Sequence, residues 1–305
     1  VGYKSLRYNT TGTKNAALGS GAGREITTGN GHTLVGYRAL ATCTTGAGST
    51  AIGFEALTVY TGDTATAVGA EALKANTTGT ANTALGYRAG DAITTGSQNV
   101  LVGMNAGGAM VDGHWNVILG KDALLTGDTS GSVIIGVDAA NGSTGDNNVF
   151  IGRGAADGTA TTSDNCIVIG KDADPSSTSV DNEITLGNSS ISSLRCQVTS
   201  ITALSDRRDK TDINTLDLGL DFINALKPVK FKWASREGIA KDGTYEAGFI
   251  AQDFKQVQED NDADYLGLVL ESNPDKLEAS PGKLIPILVK AIQELKQEIE
   301  LLKTK

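Results

Sequence analysis

Aromatic residues make up only 5% of this 305-residue chain, which holds just 3 cysteines, 5 prolines and 2 histidines. Each scarcity excludes something. So few aromatics leave too little bulk for large globular cores of ordinary make-up. Cys43, Cys166 and Cys196 are scattered, odd in number and without metal-like spacing. They suit small buried positions better than a disulfide or ligand framework. His32 and His114 occupy equivalent or near-equivalent positions of an internal repeat and cannot by themselves make a metal site, so neither metal nor cofactor is expected. Net positive charge is also missing. The formal charge of −9 speaks against the basic stripe of a nucleic-acid binder. No apolar run approaches the ~20 residues of a membrane helix, so membrane insertion is not expected. The chain starts at Val1 without an initiator Met or a signal-peptide apolar region, and Gly2 is already in phase with the repeat. The expectation is the C-terminal part of something longer, attached to its parent assembly upstream.

What the chain has in quantity is glycine, 38 residues of it. A glycine returns every 16 to 18 residues at Gly2, Gly19, Gly36, Gly53, Gly69, Gly86, Gly103, Gly120, Gly136, Gly152, Gly170 and Gly187. Small or aliphatic residues precede it and an alanine usually follows three positions later, as in Thr83-Ala84-Leu85-Gly86-Tyr87-Arg88-Ala89. A second glycine closes a turn, often Thr-Thr-Gly, about ten residues on. A short fixed period predicts stacked units, each burying its apolar side against its neighbours. Each unit reads as a short strand and a turn, and parallel coils would rise about 4.8 Å each. Asn15, Asn82, Asn99, Asn116 and Asn148 recur four residues before the glycine, where stacked amides can form a hydrogen-bonded ladder. The thin apolar content suggests that the alanines after the glycine pack against another chain.

The pattern resembles the left-handed β-roll of trimeric autotransporter adhesin heads. It is still more similar to the Asn-Thr-Ala-x-Gly-Tyr-x-Ala repeats of phage tail-fibre proteins. Two stripes follow the glycine. Tyr3, Tyr37, Phe54, Tyr87 and Met104 come one position after it. Tyr37, Phe54 and Tyr87 could stack on sugar rings as a receptor stripe, or the row could pack between protomers or over the coil edge. Glu55, Glu71, Asp122, Asp138 and Asp172 come two positions after it. Paired carboxylates could hydrolyse glycosides, but a ladder without a pocket reads as a solvated turn face.

The repeat stops near residue 190, and the composition changes after Ile201-Thr202-Ala203-Leu204. A helix is predicted over 217–226, with Leu218, Phe222, Ile223 and Leu226 on one face and Pro228 stopping it. Val229, Phe231 and Trp233 alternate with lysines as a half-buried strand. A second strand is predicted over 245–250 and a short helix around 253–258. At the end Ile285, Ile292 and Ile299 fall at heptad a and Leu288, Leu295 and Leu302 at d. That is a coiled coil over 284–303, with Pro286 in its first turn. Ile at a with Leu at d leans toward two strands. The β-roll resemblance implies three, and the trimer is the expectation taken.

Ser205-Asp206-Arg207-Arg208-Asp209-Lys210, Gly248-Phe249-Ile250-Ala251-Gln252-Asp253, Leu284-Ile285-Pro286 and Ala291-Ile292-Gln293-Glu294-Leu295 resemble the C-terminal intramolecular chaperone of phage tail fibres and tailspikes, the peptidase S74 family. The resemblance implies a domain that trimerises, guides folding of the β-rich fibre before it, and cuts itself off with a Ser–Lys dyad. Ser205 matches the serine and Lys210 the lysine. The implied cut lies between Leu204 and Ser205, with a cut on the other side of Ser205 as the alternative. Gln252 could polarise the scissile carbonyl or make a core polar contact. Asp206 is a further candidate, although it and the two arginines after it could be structural.

The fold expected is thus a mainly β solenoid, a trimeric left-handed parallel β-roll or β-helix of ~17-residue coils, then a small α+β chaperone domain ending in a trimeric coiled coil. The divisions are a shaft over 1–190, a connector over 191–204 and a chaperone domain over 205–305. The expected role is a receptor-binding segment of a trimeric phage tail fibre, made in the host cytoplasm and housed in the virion. Its partners would be its own copies, upstream tail components and a host-surface glycan or protein. The alternatives are a polysaccharide-depolymerising tailspike and a bacterial trimeric surface adhesin.

Overall fold

The computed structural model describes residues 1–305 except 158–160, 192, 196, 198–204, 234–242, 244, 276 and 305. Leu204 and Cys196 therefore lie outside the described residues. The chain divides into two compact units, Val1–Asn188 and Ser189–Lys305.

The first unit is a β-solenoid. Three-residue strands, from β1 (Ala16–Leu18) to β11 (Ile184–Leu186), form one 11-stranded sheet in which each strand pairs with the next. The pairing is parallel and one repeat out of step, as in Thr83↔Val100, Ala84↔Leu101 and Leu85↔Val102. Three residues allow one side chain per strand to point inward, and that middle residue is buried from Leu34 through Ala84, Leu101 and Ile118 to Phe150 and Val168. The glycine after each strand is dictated by contact. Gly86 sits at φ +144°, and a Cβ there would lie 2.4 Å from the carbonyl oxygen of Gly103. No side chain fits that approach in that backbone region.

The alanines three positions later correct one expectation. Ala22, Ala39, Ala56, Ala72, Ala89, Ala106 and Ala123 are fully buried within the single chain. They face the solenoid's own interior rather than another chain, because the coil is too narrow to hold more than small residues opposite the strand. The asparagine ladder forms as expected. Asn99 donates from Nδ2 to Asn82 Oδ1 at 3.1 Å and to Gly113 O at 2.8 Å, and its own Oδ1 accepts from Asn116 N at 3.0 Å. His32, Ser49 and Ser132 stand in the same column and carry the ladder where asparagine is missing. His114 belongs to a different, outer column, so the two histidines are not equivalent. There Ser97 N donates to His114 Nδ1 at 3.0 Å, and Ser130 N donates to Asp146 Oδ1 at 2.7 Å. Cys43 and Cys166 are free and buried in the coil.

The second unit holds α1 (Leu220–Ala225), β12 (Val229–Phe231), β13 (Glu246–Gly248), α2 (Ala251–Asp260), β14 (Val269–Leu270), β15 (Glu278–Ala279) and α3 (Ile285–Lys303). β12 pairs antiparallel with β13, and β14 with β15. Phe222, Leu226, Phe254, Val257, Leu268, Leu284 and Ile287 form its core. α1 is shorter than the predicted 217–226. Gly219 offers no side-chain cap, so the helix begins only where Glu294 of α3 accepts from Leu220 N at 2.7 Å. α2 is longer than predicted, and both strands are shorter.

Candidate functional site

Ser205 and Lys210 flank a single 3-10 turn, Arg207–Asp209. Asp206 caps that turn: its Oδ1 accepts from Arg208 N at 2.9 Å. The Arg208 guanidinium closes back on the same carboxylate, with Nη2 at 2.6 Å from Oδ2. That contact, with the backbone hydrogen bond from Arg208, holds the Asp206 carboxyl below the usual carboxylate range. The turn tightens further where Lys210 N donates to Arg207 O at 3.3 Å. The outcome is that residues five apart meet: Lys210 Nζ donates to Ser205 Oγ at 2.5 Å. Asp206 and Arg208 are the clamp that shapes the turn, and their charges are spent on one another.

A serine hydroxyl in hydrogen-bond contact with an amine is the geometry of an activated nucleophile. Ser205 and Lys210 are both exposed in the single chain. A lysine acts as a base where desolvation lowers its proton affinity. Gln252 stands in the first turn of α2, is exposed, and among the described residues makes no hydrogen bond to Ser205 or Lys210. The structure therefore joins two of the four residues singled out for chemistry, gives Asp206 a capping role, and leaves Gln252 apart.

α3 has two different faces. Ile287 and Ala291 are buried against the unit's own core and Leu284 just before the helix joins them. All six heptad residues, Ile285, Leu288, Ile292, Leu295, Ile299 and Leu302, are exposed. Glu294, which the heptad pattern does not single out, ties α3 to α1. Its sequence signals are its place in the Ala291–Leu295 motif and the uncapped Gly219 before a helix start.

On the solenoid, Tyr37 and Phe54 stack with ring centroids 5.5 Å apart, and both are exposed. Tyr87 lies two coils further on, past Ala70, and pairs instead with the Arg88 guanidinium at 5.2 Å. The aromatic row is thus interrupted. The acidic stripe is solvated at Asp172, as expected, but not at its first two members. Glu55 and Glu71 are largely covered and tied into a network with Arg38, Lys74 and Arg88, whose Nε lies 2.7 Å from Glu71 Oε2. The Arg88 contact, with Lys74, holds Glu71 below the usual carboxylate range. Among the described residues no group of histidine, cysteine, aspartate and glutamate could hold a metal ion. None of the described helices is long and apolar enough to cross a membrane.

A parallel solenoid is thus followed by a small α+β unit whose last helix leaves its heptad residues exposed. Residues 205–262 match the family model of peptidase S74, the chaperone of endosialidase. That match and the solenoid before it fit a tail fibre or tailspike with a C-terminal chaperone domain. No curated protein and no solved structure matches the chain.

Proposed function

We propose that this chain is a segment of a homotrimeric phage tail fibre whose C-terminal unit is an intramolecular chaperone that cuts itself free before Ser205. The observation that carries the reading is the Lys210–Ser205 hydrogen bond at 2.5 Å, placed at the first residue of the family match. Lys210 takes the Ser205 proton and Oγ attacks the Leu204 carbonyl carbon. The peptide C–N bond breaks, the proton passes to the departing nitrogen, and an ester links Leu204 to Oγ. Water then hydrolyses the ester, leaving a Leu204 carboxylate and a free amine on Ser205. Trimerisation along the exposed heptad face supplies the burial that the lysine needs. The cut is single-turnover. The fibre, housed in the virion tail and joined to upstream tail components, then binds a host-surface glycan or protein. A polysaccharide-cleaving role is disfavoured at the acidic stripe, since Glu55 and Glu71 are committed to ion pairs.

A denaturing gel and intact-mass measurement of freshly made protein test the cut. The wild type yields two pieces divided before Ser205, whereas Ser205→Ala and Lys210→Ala stay full length and still run as trimers under native conditions. A Lys210→Ala protein that cleaves at the wild-type rate would falsify the dyad.

A further inference from the structure

One coil breaks the repeat at several positions together. Where its neighbours read Thr77-Thr78-Gly79-Thr80-Ala81-Asn82 and Thr94-Thr95-Gly96-Ser97-Gln98-Asn99, this one reads Val111-Asp112-Gly113-His114-Trp115-Asn116. The next coil adds Asp128 in the Asp112 column. Trp115 takes a left-handed backbone, φ +59°, at a column otherwise held by Gly31, Gly48, Ala81, Asn147 and similar small or polar residues. A bulky side chain is a poor fit to that conformation. The indole gains little packing in return, because it is 64% exposed. Strain without burial points to a use other than stability.

The surroundings specify the use. The indole N–H is held by Gln98 Oε1 in the preceding coil. The residue in the same column of the following coil is Gly131, which puts no side chain over the ring. His114 lies beside the indole, ring centroids 5.5 Å apart and tilted by 43°. Its Nδ1 accepts from Ser97 N at 3.0 Å, so in the neutral ring the proton sits on Nε2, a donor available to a ligand. Asp128 Oδ2 accepts from Val111 N and Asp112 N at 3.0 and 3.3 Å, while its Oδ1 is buried without a hydrogen-bond partner. Burial raises the Asp128 carboxyl above its ordinary value, and the neighbouring Asp112 carboxyl adds to this. An aromatic face pinned at one edge, with an imidazole donor beside it and the exposed Asp112 three residues before it in the same turn, matches a pyranose. Its C–H face lies on the negative face of the ring quadrupole and its hydroxyls donate to carboxylates and accept from N–H.

We infer that the patch formed by Trp115, His114, Gln98 and Asp112, with Asp128 fixing the Asp112 turn from behind, is a saccharide-binding site for neutral glycans. Neutrality follows from the charge around the patch: the exposed Asp112, with Asp146 two coils beyond His114 in the same outer column, repels uronic and sialic acids. The inference rests on the host-attachment reading above, and it moves the contact from the interrupted tyrosine row to one coil.

Biolayer interferometry of the full chain on immobilised dextran, mannan and galactan, with polysialate and polygalacturonate alongside, tests it. Binding to at least one neutral polymer is expected, with at least a tenfold loss in Trp115→Ala, little change in Tyr37→Ala, and weaker binding to both acidic polymers. In a Trp233→Phe background, which leaves Trp115 as the only tryptophan, the same saccharide should change the indole emission. Absence of binding to every neutral polymer, or preference for an acidic one, overturns the proposal. A change of oligomeric state in Trp115→Ala on light scattering also overturns it, by placing the indole between copies. Labelled full chain applied to a panel of bacterial strains separates the two readings. Attachment that survives Trp115→Ala keeps host binding and rejects this site, whereas a wild type that attaches to no strain and no polymer rejects both.

Discussion

Gly86 illustrates how little freedom a single position has. Its φ of +144° and the 2.4 Å from an added Cβ to the Gly103 oxygen leave room for hydrogen only. Gly86→Ala should destabilise the solenoid by at least ~2 kcal/mol, read as a fall in thermal midpoint, since strain and a backbone collision add. His32 makes a different kind of prediction. Its Nε2 donates to Gly46 O at 2.7 Å and its Nδ1 accepts from Ser49 N at 3.2 Å, an arrangement only the neutral ring can make. Burial lowers its pKa below 6.5, against smaller raising effects of its backbone partners and Asp63. The unfolded chain therefore binds the proton more readily. The stability His32 contributes is complete above about pH 6.5 and is lost as the pH falls through the folded value. Thermal midpoints of wild type and His32→Asn at pH 7.5 and pH 5 should diverge at the lower pH, with the variant the less acid-sensitive. An equal drop in both would show that His32 does not titrate in this range. The asparagine column was legible in the sequence because the same letter recurs. His32 was not placed in it, since a histidine and an asparagine share no pattern and only their common acceptor role unites them.

At the scale of elements, α3 carries two sets of apolar residues with opposite duties. Ile287 and Ala291 belong to the core of the unit, and the six heptad residues face outward. Heptad spacing marked the second set plainly and missed the first, because Leu284, Ile287 and Ala291 repeat at i, i+3, i+7 for two turns only, beside a longer Ile/Leu stripe with the same period. Under the proposed homotrimer, Ile292→Asp with Leu295→Asp should leave circular dichroism close to that of the wild type but lower the mass on light scattering to that of one chain. Ile287→Asp should unfold the unit, as a charge buried without a partner does. Glu294 links α3 to α1 by its contact with Leu220 N, and its carboxyl is held low first by that hydrogen bond and then by Lys290. Glu294→Ala should speed amide exchange at Leu220 more than at Phe254, since α2 has no such dependence. Helix α1 started later than its apolar pattern because capping, a contact made 74 residues away, set its first turn.

For the whole molecule, regularity has a cost in register. Near-identical coils slip by one repeat with little penalty, so a non-repeating unit after them has a physical reason to exist. Under the proposed chaperone role, the separated solenoid is held by a kinetic barrier. Uncut Lys210→Ala protein, melted and cooled, should recover its trimer, whereas the cleaved shaft alone should not. The sequence by itself determined the period, the parallel stacking, the glycine sites and the heptad, because each rests on a repeated local geometry. Ser205 and Lys210 were paired through the resemblance to the peptidase S74 family rather than by any local pattern of their own. Only the tertiary structure decided where the alanines face, that Glu55 and Glu71 are tied into ion pairs, and that the aromatic row is broken. It likewise brought Gln98 and Trp115 together from neighbouring coils. Those outcomes depend on which columns lie side by side in space, and a linear pattern carries that information only once the coil has closed.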